Sequence, residues 1–352
     1  MFGAGAGPSK NGRFPRPSGE EGTVQTNRRT IHRALLALAG APALASRGAF
    51  AQQQQQPPSA PQEFRVGFQK GSALLLLVRK RPSLETRLRP LGVQSVKWVE
   101  FQFGPPMLEA LGHGAIDIGS VGDTPPIFAQ AGGSDIVYVA GTPSAQHAVL
   151  VPRDSPVRSL ADLKGRRVAF GRGSSAHNVA IKALALAGLT LKDVVPTYLA
   201  PADATAAFNG GNIDAWVVWD PYYAIAERHY GARVLADTSD RRLASSSYYL
   251  AHRPFAGKHP AVITAAVDEI RQVTEWAGAH RADLAALAAE ATGIDAPTWQ
   301  AAFARAEFSV GPLTDAQIAQ QQELADNFYA LGIVPKKFTV RDIVWKAPAA
   351  KG

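Results

Sequence analysis

The 352-residue sequence contains no cysteine. That excludes disulfides, thiol nucleophiles, cysteine-ligated zinc and iron–sulfur clusters. It also excludes a lipid-modified N-terminal cysteine, so an exported form is expected to be a free, soluble protein. Long apolar runs are missing as well: nothing after residue 51 approaches the ~20 residues of a membrane helix. Charged residues make up only 19% of the chain against 46% apolar, a balance that buries cores and excludes disorder of the chain as a whole. The length exceeds what one compact core usually serves, which predicts two domains or one domain split in two. No Ser-His-Asp arrangement, nucleophile elbow, P-loop or metal-binding helix motif is present. No set of catalytic residues is visible, and none is expected.

What is present in excess is positive charge, a net +8, which invites a nucleic-acid or anionic-membrane reading. Its location removes that invitation. Residues 1–51 hold seven basic and two acidic residues, which leaves a net of +3 on the remainder. This segment has a long Gly/Pro/Ser-rich start, the pair Arg28-Arg29, an apolar run from Ala34 to Ala45, and an A-x-A site at Ala49-Phe50-Ala51. Charged region, short apolar region and small-residue cleavage site make an export signal, and the paired arginines favour the twin-arginine route. Glu20 and Glu21 argue against a transit peptide, which is usually poor in acids. Residues 1–51 are therefore expected to be a twin-arginine-type signal peptide, and 52–63 a flexible linker. The mature protein is expected to be soluble, periplasmic and not to bind nucleic acid.

From Phe64 onward short strands alternate with helices. Val96 to Phe103 partly alternates apolar and polar, as a half-buried strand does. Ser72–Lys80, Thr124–Ala131 and Asn178–Ala187 read as helices, the second with Thr124 and Pro125 at its start and Gly132-Gly133 at its end. The alternation predicts an α/β protein with a mainly parallel sheet. Beyond residue 257 the pattern becomes Ala-rich helices over 259–290, 295–305 and 314–330.

Two motifs recur. Val66-Gly67-Phe68-Gln69-Lys70-Gly71-Ser72 resembles Val168-Ala169-Phe170-Gly171-Arg172-Gly173-Ser174, an offset of 102 positions. Gly114-Ala115-Ile116-Asp117, then Val121 and Asp123, resembles Gly211-Asn212-Ile213-Asp214, then Val218 and Asp220, an offset of 97. Both pairs stand in the same order. Each segment is a short apolar strand running into Gly, Ser, Thr or Pro and then a helix. Four strand-to-helix turns, two per lobe, are thus expected at carboxyl strand ends, where open α/β sheets bind ligands. Helix starts there present unpaired N–H groups and partial positive charge, so two facing lobes would enclose a cleft suited to anions.

Of the four turns, Gly173-Ser174-Ser175-Ala176-His177-Asn178 carries the most polar groups, and hydroxyls with the following amides can surround tetrahedral oxygens. Serine also favours helix N-caps for purely structural reasons. His177 lacks a second histidine or carboxylate at helical spacing, so no metal site is expected. Gly171-x-Gly173-x-x-Ala176 matches a dinucleotide fingerprint with Asp193 about twenty residues on; this supports the alternative of an exported nicotinamide-dependent oxidoreductase. Against it, the related turn at Phe68–Ser72 lacks the pattern, and Asp193 follows a predicted turn rather than a strand end. Trp219-Asp220-Pro221-Tyr222-Tyr223 ends an apolar strand; Trp219 or Tyr222, with Phe68 from the other lobe, could form an apolar wall. Asp123 and Asp220 occupy equivalent places, where helix capping is the plain role. Lys164-Gly165-Arg166-Arg167 reads as a solvated turn.

These residues, together with Val99-Glu100-Phe101, Met107-Leu108-Glu109-Ala110-Leu111, Gly119 to Gln130 and Leu331-Gly332-Ile333-Val334-Pro335-Lys336-Lys337, stand in an order that resembles the periplasmic aliphatic-sulfonate-binding proteins of ABC importers. The resemblance spans residues 64–346. It implies a periplasmic-binding-protein-like fold of type II: two α/β lobes joined by two crossover strands, with the ligand cleft between them. The crossings are expected near His147–Val151 and Ser247–Leu250, with lobe one at 64–147 plus 250–352 and lobe two at 148–249. It further implies a small-molecule alkanesulfonate ligand, a partner permease and ATPase, a monomeric state, no cofactor and no catalysis. Matching motifs place Gln69, Gly122, Asp123, Ser174, Ser175, His177, Asn178 and Trp219 in the cleft. Taurine, nitrate and pyrimidine-precursor binders share the fold and are alternative ligand classes. The chemistry agrees: a sulfonate is a permanent anion with three acceptor oxygens, and Ser174, Ser175, Gln69, Asn178 and helix-start amides supply donors.

Overall fold

The computed structural model describes residues 60–347. The expected signal peptide at 1–51 and the linker as far as residue 59 lie outside the described residues. β1 (Glu63–Gln69), α1 (Ala73–Lys80), α2 (Ser83–Leu88), β2 (Ser95–Phe101), α3 (Gly104–Gly112), β3 (Ile118–Gly122), α4 (Thr124–Gly132) and β4 (Ile136–Pro143) come first. Then follow β5 (His147–Val151), β6 (Arg167–Phe170), α5 (Ser175–Leu186), β7 (Val195–Tyr198), α6 (Pro201–Asn209), β8 (Ala215–Trp219), α7 (Tyr222–Tyr230) and β9 (Arg233–Asp237). β10 (Ser246–His252), α8 (Arg253–Lys258), α9 (Pro260–Ala279), α10 (Arg281–Thr292), α11 (Ala296–Ala304) and α12 (Asp315–Ala330) complete it.

The strands form two five-stranded sheets, ordered β2-β1-β3-β10-β4 and β7-β6-β8-β5-β9. In each sheet one strand, β10 or β5, runs against its neighbours. Both sheets are therefore mixed, where the alternation alone suggested a mainly parallel one. The odd strand is in each case the one entered after the chain passes between sheets, at 144–146 and at 238–245. The strands expected near the crossings thus belong wholly to one sheet each.

Helices cover both faces of each sheet, and side-chain alternation explains why. Phe64, Val66 and Phe68 project from one face of β1 into a core shared with α1, α9, α10 and α11. The other face packs Met107, Ile127 and Phe328. In β8, Ala215 and Val217 join the α5 side while Trp216 and Val218 join Phe208 and Tyr223. Period-two burial of this kind contributes about 1.5–3 kcal/mol for each large side chain.

The internal repeat has a physical counterpart. Gly114 and Gly211 both adopt positive φ, 69° and 70°, a turn that glycine enters without Cβ strain. Ile116 and Ile213 are buried just beyond them. Asp117 then clasps Arg65 of β1, accepting from its backbone N at 2.7 Å and from Nη2 at 2.6 Å. Asp214 clasps Arg167 of β6 in the same way, at 2.8 Å from N and 3.0 Å from Nη2. Each clasp pins the start of one parallel strand to the turn before the next.

Two helices differ from expectation. α5 begins at Ser175, not Asn178, because Ser174 is still extended (φ −86°, ψ 169°) and occupies the N-cap position; the polar run is the first helical turn rather than a loop. The stretch 259–290 is two helices, broken at His280 (φ −126°, ψ 48°). His280 faces the Trp276 carbonyl with Nδ1 at 2.8 Å and stacks on the Trp276 ring. Among the described residues no helix is long and apolar enough to cross a membrane.

Candidate functional site

Residues from all four strand-to-helix turns line one cavity of about 190 Å³. Gln69 and Ser72 come from the end of β1, Gly122 from the end of β3, Ser174 and Ser175 from the start of α5, and Trp219 and Asp220 from the end of β8. The turns approach closely: a Cβ on Gly122 would stand 2.7 Å from Cβ of Ser175, closer than real contacts allow. Glycine there lets the first sheet meet the α5 start of the second.

Hydrogen-bond partners reveal which donors remain. Gln69 gives one Nε2 hydrogen to the Ser120 carbonyl at 3.0 Å and retains a second. Ser174 Oγ donates to the Gly171 carbonyl at 2.7 Å, so its hydrogen holds the turn. Ser175 Oγ lies 2.7 Å from His147 Nε2. His177 N donates to the Ser174 carbonyl at 2.9 Å, and the amides of Ser175 and Ala176 before it are the free donors of a helix start, reinforced by the helix dipole. The same cavity is lined by the aromatic residues Trp219, Tyr249, Trp299, Phe303 and Phe308. Burial raises the pKa of Tyr249, with a Ser120 hydrogen bond opposing, so the phenol is neutral.

Five of the eight expected site residues, Gln69, Gly122, Ser174, Ser175 and Trp219, thus border the cavity. Asp123, His177 and Asn178 do not line it. They are buried behind it, with exposures of 4%, 4% and 2%. Asn178 Nδ2 donates to Asp123 Oδ2 at 2.8 Å, and Ser245 Oγ donates to the same oxygen at 3.0 Å. Burial pushes the Asp123 carboxyl above the usual range, while Thr124, Lys182, Asn178 and Ser245 oppose this. Asp123 is therefore a tie from the end of β3 to α5, set behind the cavity rather than in its lining. His177 stacks on Phe170 with ring centroids 5.0 Å apart. Its Nδ1 accepts from the Gly173 amide at 3.3 Å, and its Nε2 is buried without a partner. Burial, then the charge of Arg172, lowers its pKa to about 4. It is a neutral core aromatic. Phe68 is likewise core, packed against Trp98.

Asp220 is the repeat partner of Asp123, and it too reaches across. It accepts from Arg305 Nε at 2.7 Å and Nη2 at 2.9 Å, while Arg305 Nη1 donates to Glu227 at 2.8 Å. Burial lowers the Arg305 pKa, but the hydrogen bonds and charges of Asp220 and Glu227 outweigh it and raise the pKa above the usual arginine value. The dinucleotide alternative loses its acidic residue. Asp193 precedes β7, and its carboxylate accepts from Thr190 N and Oγ1 at 2.8 Å in a capping box.

Sequence reasoning did not find Arg305, which lies 85 residues from its partner. Nor did it find His147, a single histidine at a strand start, nor Trp299 and Phe303 on α11. Their helical spacing reads as ordinary core.

A family model described as the NMT1-like family matches residues 58–293. An aliphatic sulfonates-binding protein of Escherichia coli (strain K12) is 43% identical over 297 residues, covering 84% of this chain and 92% of that protein. The crystal structure of the periplasmic aliphatic sulphonate binding protein SsuA from Escherichia coli aligns with TM-score 0.74 at 43% identity, over 83% of this chain and 94% of that one. The alkanesulfonate-binding protein SsuA from Xanthomonas axonopodis pv. citri, bound to MOPS, aligns with TM-score 0.77 at 38% identity, over 82% and 99%. With that identity over more than four fifths of its length, the chain belongs to the NMT1-like family and, within it, to the aliphatic sulfonate-binding proteins.

Proposed function

We propose that this protein captures aliphatic sulfonates in the periplasm and delivers them to the membrane permease of an ABC importer, without catalysis of its own. The observation that carries this reading is the convergence of four strand-to-helix turns, two from each sheet, on one cavity. Lobe one is taken as 64–147 with 250–352 and lobe two as 148–249, the cleft closing between them. The sulfonate group sits against the α5 amides, Gln69 and the serines, and the carbon chain runs along Trp219 and the α11 aromatics. A sulfonate has no proton to donate, so an end rich in amide donors suits it. Charge-assisted hydrogen bonds contribute about 1.5–3 kcal/mol each. Three or four of them with apolar contact reach about −8 kcal/mol, a micromolar Kd, after the costs of ordering and closure. The proposal includes export by the twin-arginine route, a monomeric state, and a permease and ATPase as partners.

Thermal shift against ethane-, butane- and arylsulfonates, taurine, nitrate, sulfate and a pyrimidine precursor tests the ligand class. Sulfonates are expected to stabilise the protein by several degrees. Stabilisation by another class alone would overturn the assignment.

A further inference from the structure

His147 opens β5, borders the cavity and is 1% exposed. Its Nδ1 lies 2.8 Å from the Ala145 carbonyl oxygen and its Nε2 2.7 Å from Ser175 Oγ. A carbonyl oxygen only accepts, so Nδ1 carries the hydrogen. In the neutral ring Nε2 is then a lone pair, and the Ser175 hydroxyl must donate to it. Ser175 consequently offers the cavity oxygen lone pairs, the wrong polarity for a sulfonate. An imidazolium reverses this. Both ring nitrogens become donors, Nε2–H donates to Ser175 Oγ, and the hydroxyl hydrogen is free to turn toward the ligand.

We propose that His147 is a positioning residue that sets the donor direction of Ser175, so that capture of a sulfonate takes up one proton at His147. This rests on the sulfonate reading above and deepens it. The proton moves from solvent to Nε2 of His147, and no covalent bond to the ligand forms.

The surroundings fit a site that is neutral when empty. Burial lowers the His147 pKa to about 4; the Ala145 carbonyl opposes this and Lys182 adds to it. The other ionisable groups on elements packed against β5 are His177 on α5, Asp220 after β8, and Arg233 and Asp237 on β9. Helix α7 adds Tyr222, Tyr223, Glu227, Arg228, His229 and Tyr230. Asp220 and Glu227 are both engaged by Arg305, and Lys182 is the one charge that acts on the ring. A bound anion within a few ångströms favours the cationic form by roughly 1–3 pKa units, which places the liganded value between about 5 and 7. The sign follows. Above the liganded value affinity is flat; below it, and down to the free value, Kd tightens by up to tenfold for each pH unit of acidification.

Titration calorimetry of the full chain with butanesulfonate, an anion throughout this range, tests the coupling. At pH 5.5, in two buffers of different ionisation enthalpy, uptake of about 0.2 to about 0.9 proton per ligand is expected across that range of liganded values. Kd should tighten severalfold from pH 6 to pH 5. His147→Gln offers Ser175 a permanent donor and should abolish both effects, whereas Asp123→Asn should retain them. Binding with no proton uptake between pH 5 and 7, or uptake that persists in His147→Gln, overturns the proposal while leaving the sulfonate reading intact. Absence of sulfonate binding at any pH removes both. Imidazole nitrogen chemical shifts of His147 in the unmutated protein, recorded with and without ligand, decide the matter even if the variant does not fold.

Discussion

Replacing Arg305 by alanine strands a buried carboxylate, and the consequence follows from the geometry. Asp220 is 8% exposed and accepts two hydrogen bonds from the guanidinium, at 2.7 and 2.9 Å. The guanidinium also lies 3.6 Å from the centre of the Tyr223 ring. Breaking a buried pair by removing one partner costs about 3–5 kcal/mol, because the remaining charge has lost its compensation. Arg305 keeps 26% of its side chain exposed, so the lower end, about 3 kcal/mol, is expected. For a chain of this size that corresponds to a Tm lowered by roughly 4–5 °C. Asp220→Asn in the Arg305→Ala background removes the stranded charge and should recover about 2 kcal/mol. The pH dependence has a definite sign. Without Arg305, burial keeps the folded-state pKa of Asp220 above its unfolded value, so the deficit is full at neutral pH and shrinks as pH falls through the raised value. Urea and thermal denaturation of the two single variants and the double variant at pH 7 and pH 5 measure all of this. A loss below about 1 kcal/mol in Arg305→Ala, with no recovery on adding Asp220→Asn, would refute the reasoning.

Three further outcomes are expected. His177→Phe should keep sulfonate affinity unchanged by calorimetry and leave Tm near that of the parent, since removing an unpartnered buried nitrogen offsets the loss of the acceptor for the Gly173 amide. The parent should lose stability as pH falls from 6.5 toward 4, the window between the unfolded and folded values of this histidine; His177→Phe should flatten that loss by about 3 kcal/mol. Trp219→Ala should weaken butane- and arylsulfonate binding about tenfold or more and methanesulfonate much less, as measured by titration of the three ligands. Asn178→Ala removes one donor to the buried Asp123 carboxylate and should cost about 1.5–3 kcal/mol at pH 7. That deficit narrows on acidification, because a protonated Asp123 needs the donor less.

The repeat was the most legible part of the sequence. Gly114–Asp117 and Gly211–Asp214 recur because the same glycine turn and Arg–Asp clasp build each sheet. The turn residues Gln69, Gly122, Ser174, Ser175 and Trp219 were legible for the same reason, since helix starts at strand ends face a common space. Asp123, His177 and Asn178 belong to the same motifs, but motif order does not tell a side chain that faces the cavity from one turned behind it. Asp123 is turned away from the cavity toward α5, where Asn178 and Ser245 reach it from other segments. Long-range pairs were not legible at all. Arg305 looks like any basic residue after an Ala-rich helix, and only folding brings it to Asp220. The break at His280 was hidden by helix-favouring alanines on either side.

The central claim is tested most directly by calorimetric titration of the protein with butanesulfonate at pH 5.5, where the liganded His147 is cationic and the Ser175 hydroxyl is free to donate, set beside Ser174→Ala with Ser175→Ala in one chain. The account predicts one site with a micromolar Kd in the parent, and binding weakened at least tenfold in a variant whose circular dichroism is unchanged. No heat of binding with any sulfonate, alongside clear saturation by nitrate or a pyrimidine precursor, would contradict it.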